Sequence, residues 1–205
     1  MDNSFFLKRI FEGYVQCFRV ARWHMSCTYS DMTQNDINFF SDLGSKLGFL
    51  SIREKSETPP DGHFYNNKSN PRDLVWVDPN TGKAFLHVER ENKTESAVDA
   101  VVNPLNKLSD SAKFNDGRLL VAVFGWITRT DLEKVLGYIK GKDSCYTRND
   151  LLIIAFVGQN QNDATDIEAY VLSEHGNFRR NASSKIDRGG FWYSYFEEGS
   201  TWEVY

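Results

Sequence analysis

Between Asp73 and Lys93 the chain reads DLVWVDPNTGKAFLHVERENK, and its charged residues recur at strand spacing. Successive side chains of a strand point to opposite faces. His87, Glu89, Glu91 and Lys93 therefore share one face, and Leu86, Val88 and Arg90 the other. Carboxylates at i and i+2 have backbones roughly 6.5 to 7 Å apart, a separation from which both can converge on one cation, or on two cations about 4 Å apart. Without a cation, two like charges at 4 Å repel by roughly 1 to 4 kcal/mol, depending on the effective dielectric. The pattern calls for a counter-charge, and a hard divalent ion held by carboxylate oxygens is the one that would also do chemistry.

The elements around these residues read as a hairpin. Leu74 to Val77 and Ala84 to Val88 flank Asp78-Pro79-Asn80-Thr81-Gly82-Lys83, in which Pro presets φ and Gly supplies a positive φ. An Asp opening one strand, a hairpin, and Glu-x-Glu closing the next strand before a helix resembles the PD-(D/E)XK nuclease superfamily, to which many restriction endonucleases belong. The resemblance implies that Asp73 and Glu89 hold Mg²⁺ or Mn²⁺, that Glu91 orients or deprotonates the attacking water, and that Lys93 meets the scissile phosphate. A second frame, Glu91-Asn92-Lys93, gives the commoner Glu-x-Lys spelling on the same face. The family's further acid would be Glu12, on the first helix, or Glu54. Where the family has Pro-Asp, this chain has Pro71-Arg72-Asp73. Strict pairing of Asp78 with Lys83 would set Asp73 against Val88, facing away from Glu89. The reading therefore requires a β-bulge in one of the two strands.

A chain of 205 residues, 40% hydrophobic and 25% charged, suits one globular domain over residues 1–205. No apolar run reaches the roughly 18 residues needed to span a bilayer, so no membrane partner is expected. Cys17, Cys27 and Cys145 are odd in number and lack metal-ligand spacing; with no signal-like start, reduced thiols in the cytoplasm are expected. The net charge of −4 argues against a generally basic nucleic-acid binder, while allowing a local basic stripe. It favours an alternative reading, a non-catalytic binding or interaction protein on a nuclease-like fold.

Apolar periodicity predicts helices from Ser4 to about Arg22 and from about Thr33 to Leu47, then a strand from Phe49 to Glu54. Residues 56–71 read as a loop that could bring Lys68 and Arg72 to phosphates. A helix interrupted by Pro104 is expected from about Glu95 to Lys113, with Lys107 facing either the site or, by preference, solvent. Leu119 to Ile127 and Leu151 to Val157 read as buried strands joined by a helix whose capping box is Thr130 to Glu133. That order predicts a right-handed parallel crossover. Ile167 to Leu172 reads as an outer strand. Arg179 and Arg180 then lead a basic stretch followed by aromatics, which could grip a backbone and stack on bases, or seal a sheet edge or dimer interface. The fold class is α/β, with a central mixed sheet. The resemblance refines this to a three-layer, restriction-endonuclease-like α/β/α arrangement, a metal-dependent DNA endonuclease, and a homodimer.

Overall fold

The computed structural model describes residues 3–20, 23–24, 26–53, 73–91, 104–108, 119–141, 150–158 and 165–205. Helix α1 (Asn3–Val20) buries Leu7, Ile10, Phe11, Tyr14, Val15 and Phe18, a stripe at alternating spacings of three and one. Helix α2 (Tyr29–Lys46) starts at a capping box, in which the Thr28 hydroxyl accepts the Asp31 N–H and the Asp31 carboxylate accepts the Thr28 N–H. The helix starts four residues upstream of the start expected from periodicity, because α2's first turn is polar. Residues 104–108 form a described segment of helix, α3, and α4 spans Arg129–Gly141. No described helix is long and apolar enough to cross a membrane.

The strands are β1 (Trp23–His24), β2 (Leu50–Arg53), β3 (Leu74–Val77), β4 (Ala84–Glu91), β5 (Leu119–Ile127), β6 (Asp150–Val157), β7 (Thr165–Ser173), β8 (Gly176–Ile186), β9 (Phe191–Tyr195) and β10 (Glu203–Val204). They form one mixed sheet in the order β1-β9-β8-β7-β6-β5-β4-β3-β2, with β10 paired to β8. The pairs β4–β5 and β5–β6 are parallel, and the other neighbours antiparallel. Alternation along β5 divides the core. Leu119, Val121 and Val123 join the cluster under α1 and α2, whereas Leu120, Ala122 and Phe124 join Leu105, Leu108 and the apolar face of α4.

Two expectations are corrected by hydrogen bonding and pairing. Thr128, not Thr130, caps α4, since its hydroxyl accepts the Asp131 N–H at 3.1 Å and donates to the Asp131 carboxylate at 2.8 Å. The segment expected as an outer strand is β7, which lies inside the sheet between β6 and β8. Its alternation of exposed and buried residues is confined to Asp166, and the polar Glu168 on the same face is buried against Arg129 and Tyr170.

Close packing of α2 on β3 depends on Gly44. A Cβ there would stand 2.5 Å from the Trp76 indole nitrogen and 2.8 Å from the Ser51 hydroxyl, while that indole donates to the Phe40 carbonyl at 3.0 Å. Gly44→Ala is expected to cost about 1 to 3 kcal/mol, measured by urea unfolding. Burial pushes the Glu168 carboxyl up, but hydrogen bonds from Arg129 and Tyr170 hold it below the usual glutamate range. Its stabilising contribution is therefore complete above the unfolded value, about 4.3, and is lost as pH falls through the lower folded value. Arg129→Met should move the acid-unfolding midpoint to higher pH.

Candidate active site

The hairpin turn is built by Asp78, whose N–H donates to the Lys83 carbonyl at 3.0 Å, whose carbonyl accepts from Gly82 at 2.8 Å, and whose carboxylate accepts the Asn80 N–H. Gly82 has φ +67°. Beyond the turn Val77 pairs with Ala84, but Trp76 pairs with Leu86, so Phe85 is one extra residue in β4. A bulge in one of the two strands is what the resemblance required. Leu74 consequently pairs with Val88, and Asp73 and Glu89 are the next residues beyond that last pair. Opposed residues of an antiparallel pair have Cα atoms about 4.5 to 5.5 Å apart. One oxygen of Asp73 accepts the Arg90 N–H at 2.7 Å, which fixes the carboxylate at the mouth of the hairpin.

Glu89 is buried, with 4% of its side chain exposed, and lies beside Ala122 of β5 in parallel register. Its Oε2 accepts from the Lys107 ammonium of α3 at 3.1 Å. The expectation of a solvated Lys107 is thus corrected: α3 packs Leu105 and Leu108 beneath it and turns its ammonium onto the strand. Of the two placements open to it from the sequence, facing the site or solvent, Lys107 takes the first. Glu91, half-buried, follows two residues on beside Phe124, and His87 is buried two residues before, between Val75 and Leu120. Asp73, Glu89 and Glu91 are hard oxygen donors. Among the described residues no group of three or more His, Cys, Asp or Glu is placed to hold a metal ion. Mg²⁺ commonly uses only one or two protein carboxylates and keeps waters and substrate oxygens for the rest, so Asp73 and Glu89 would suit Mg²⁺ by donor chemistry, whereas a closed zinc or calcium cage needs more ligands.

On the opposite face of β4, Arg90 is 2% exposed. Its Nε donates to the Asp36 carboxylate of α2 at 2.7 Å, and the Tyr14 hydroxyl of α1 donates to the same carboxylate at 2.6 Å. Burial pushes the Asp36 carboxyl above its usual range, against the pull of Arg90 and Tyr14. Gly125 of β5 makes room for the guanidinium, since a Cβ there would meet Arg90 Nη2 at 2.8 Å.

Other expected site residues lie elsewhere. Glu12 does not join Asp73 and Glu89: its carboxylate accepts from Arg180 at 2.7 Å, Trp202 at 3.2 Å and Arg9 at 2.6 Å, on the α1 side of the sheet. Arg180 is turned inward by that pair, by the Ser200 carbonyl at 2.8 Å and by the Phe196 ring at 3.8 Å, so it is not presented to a phosphate. Arg179 faces the other way and lies 3.6 Å from Glu203. Glu54, Lys68, Arg72 and Lys93 lie outside the described residues.

No family model matches the chain, and no curated protein matches it. The solved structure of the YaeQ protein from Xanthomonas axonopodis pv. citri is similar over 74% of this chain and 77% of that chain, at 14% identity and a TM-score of 0.31. A likeness of that size carries no argument about fold or function.

The buried pair behind the site gives a direct test. Removing one partner leaves the other charge buried, so Asp36→Leu and Arg90→Met should each cost about 3 to 5 kcal/mol. The double variant should cost less than the sum of the two, measured as a coupling energy by denaturant unfolding.

Proposed function

We propose that the chain is a metal-dependent phosphodiester hydrolase acting on nucleic acid, a DNA endonuclease of the PD-(D/E)XK type on a three-layer α/β/α fold. The observation that supports the reading is the bulge at Phe85, which pairs Leu74 with Val88 and leaves Asp73 and Glu89 as the next residues in phase beyond that pair. Helix residues packed on both faces of the mixed sheet, and the parallel β4–β5 step following the hairpin, support the same architecture.

Asp73 and Glu89 would be the protein ligands of Mg²⁺. When bound, that ion polarises the phosphate and lowers the pKa of a water. The remaining work falls to the chain itself. The Arg90 N–H holds Asp73 in place, and burial between β3, β5 and α3 holds Glu89. Glu91, on the same face at the strand's partly exposed end, orients the attacking water and takes its proton. Lys107 offsets the repulsion between neighbouring carboxylates and offers its ammonium to the phosphate, a role the sequence pattern alone would give to Lys93.

A second reading, a non-catalytic interaction protein, is favoured by one observation: the Lys107–Glu89 ion pair already supplies the counter-charge that the carboxylates require. Cleavage of supercoiled plasmid and of single-stranded DNA in millimolar Mg²⁺ or Mn²⁺ separates the two. The nuclease reading expects EDTA-sensitive cutting that falls by about a hundredfold or more in Asp73→Ala and Glu89→Gln. It also expects a metal-dependent rise in thermal stability, about 1.4 kcal/mol at ten times the Kd, that Glu89→Gln abolishes. Inert wild-type protein with no metal response, together with a Lys107→Ala variant that is simply less stable, would leave only the second reading.

A further inference from the structure

The last residues of the three parallel strands enclose a recess separate from the carboxylate face. Arg90 of β4, Gly125 and Trp126 of β5, and Phe156 of β6 line it, with Met32 and Asp36 of α2 on the other side. Ligands of open α/β sheets bind outside the carboxyl ends of such strands. The recess measures about 280 Å³ including the part open to solvent, and its enclosed part has room for about one water molecule.

Two features set it apart from a packing defect. Arg90 Nη1 is buried and has no hydrogen-bond partner among the described residues, a deficit that costs of the order of 1 to 3 kcal/mol where nothing fills it. Trp126, a non-glycine residue, has φ +60° where the β5–β6 register slips between Phe124 and Ile127. A local irregularity of this kind re-aims a side chain.

We propose that the recess binds an uncharged, flat ring bearing an exocyclic carbonyl oxygen, the chemistry of an oxo nucleobase; that this base belongs to a cleaved strand rests on the nuclease reading. The carbonyl oxygen projects beyond its ring into the enclosed part of the recess, accepting from Arg90 Nη1. The ring lies at the mouth against Trp126 and Met32, an aromatic face and a soft thioether suited to flat ligands. An anion is disfavoured, because Asp36 already neutralises Arg90 and its carboxylate lines the same recess. Adenine is disfavoured as well, since its exocyclic amine would bring a donor to a donor.

Calorimetric titration of the full chain with uridine, inosine, adenosine and inorganic phosphate tests this. Uridine and inosine are expected to bind with a Kd on the order of 1 mM, adenosine at least about tenfold more weakly, and phosphate neither to bind nor to compete. Gly125→Ala, which presses on the guanidinium, and Met32→Trp, which blocks the partly exposed mouth, should each weaken uridine at least about tenfold. Should Gly125→Ala fail to fold, Met32→Trp still decides. A uracil-containing single strand that binds more tightly than uridine, and loses the gain in Met32→Trp, assigns the ligand to a base within a strand; equal affinity assigns it to the free nucleoside. The proposal is overturned by silence toward uridine and inosine, by equal binding of adenosine, by competition from phosphate, or by a Met32→Trp variant that binds as the wild type does. Nucleoside binding without metal-dependent cleavage would remove the nuclease reading and leave this pocket; cleavage without nucleoside binding would do the reverse.

Discussion

Strand β4 carries an acid and a base at adjacent positions while both of its faces are buried. Desolvating such ions costs several kcal/mol each unless a partner of opposite charge meets them in good geometry. Because neighbours on a strand point apart, one partner cannot serve both. Glu89 is met from α3 by Lys107, and Arg90 from α2 by Asp36, itself held by Tyr14 of α1. Helices on either side are thus tied to β4 by charge as well as by apolar packing. Asp73 closes the arrangement by taking the Arg90 N–H beyond the last residue of β3.

The same geometry makes the function reading specific. In the proposed reading, Asp73 and Glu89 would form a weak cation site alone, suited to an ion that keeps most of its waters for the substrate. Lys107 stands where it can compete with such an ion or cooperate with it. Under the proposed reading, Lys107 and a metal ion would share one glutamate, whose ion pair with Lys107 is the part the structure shows.

Much of the architecture was legible in the sequence because it follows from short-range pattern. The stripes of α1 and α2, the Asp78–Gly82 turn and the continuous apolar runs of β5 and β6 each state their own structure. The need for a bulge was also legible, from the conflict between turn pairing and the shared face of Asp73 and Glu89; its position at Phe85 was not, since a bulge changes phase without changing composition. Contacts between distant elements were the least visible. Nothing local distinguishes Lys107 from a surface lysine, Glu12 from a site acid, or Arg180 from a phosphate ligand, because each is decided by a partner far away in the chain. Helix starts were misplaced where caps are polar, as at Thr28 and Thr128.

The clasp around Glu12 has a consequence for the order of assembly. Its two most distant donors, Arg180 and Trp202, lie 168 and 190 residues further along. Helix α1 is therefore synthesised well before its polar anchors, and Phe11 waits likewise for the rings of Phe196 and Trp202. Contacts of such sequence separation carry the largest loop-closure cost and are slow to form. Until the strands from β4 to β9 have been laid down, the apolar stripe of α1 has no complete surface to cover, so a nascent chain exposes it while they are being made.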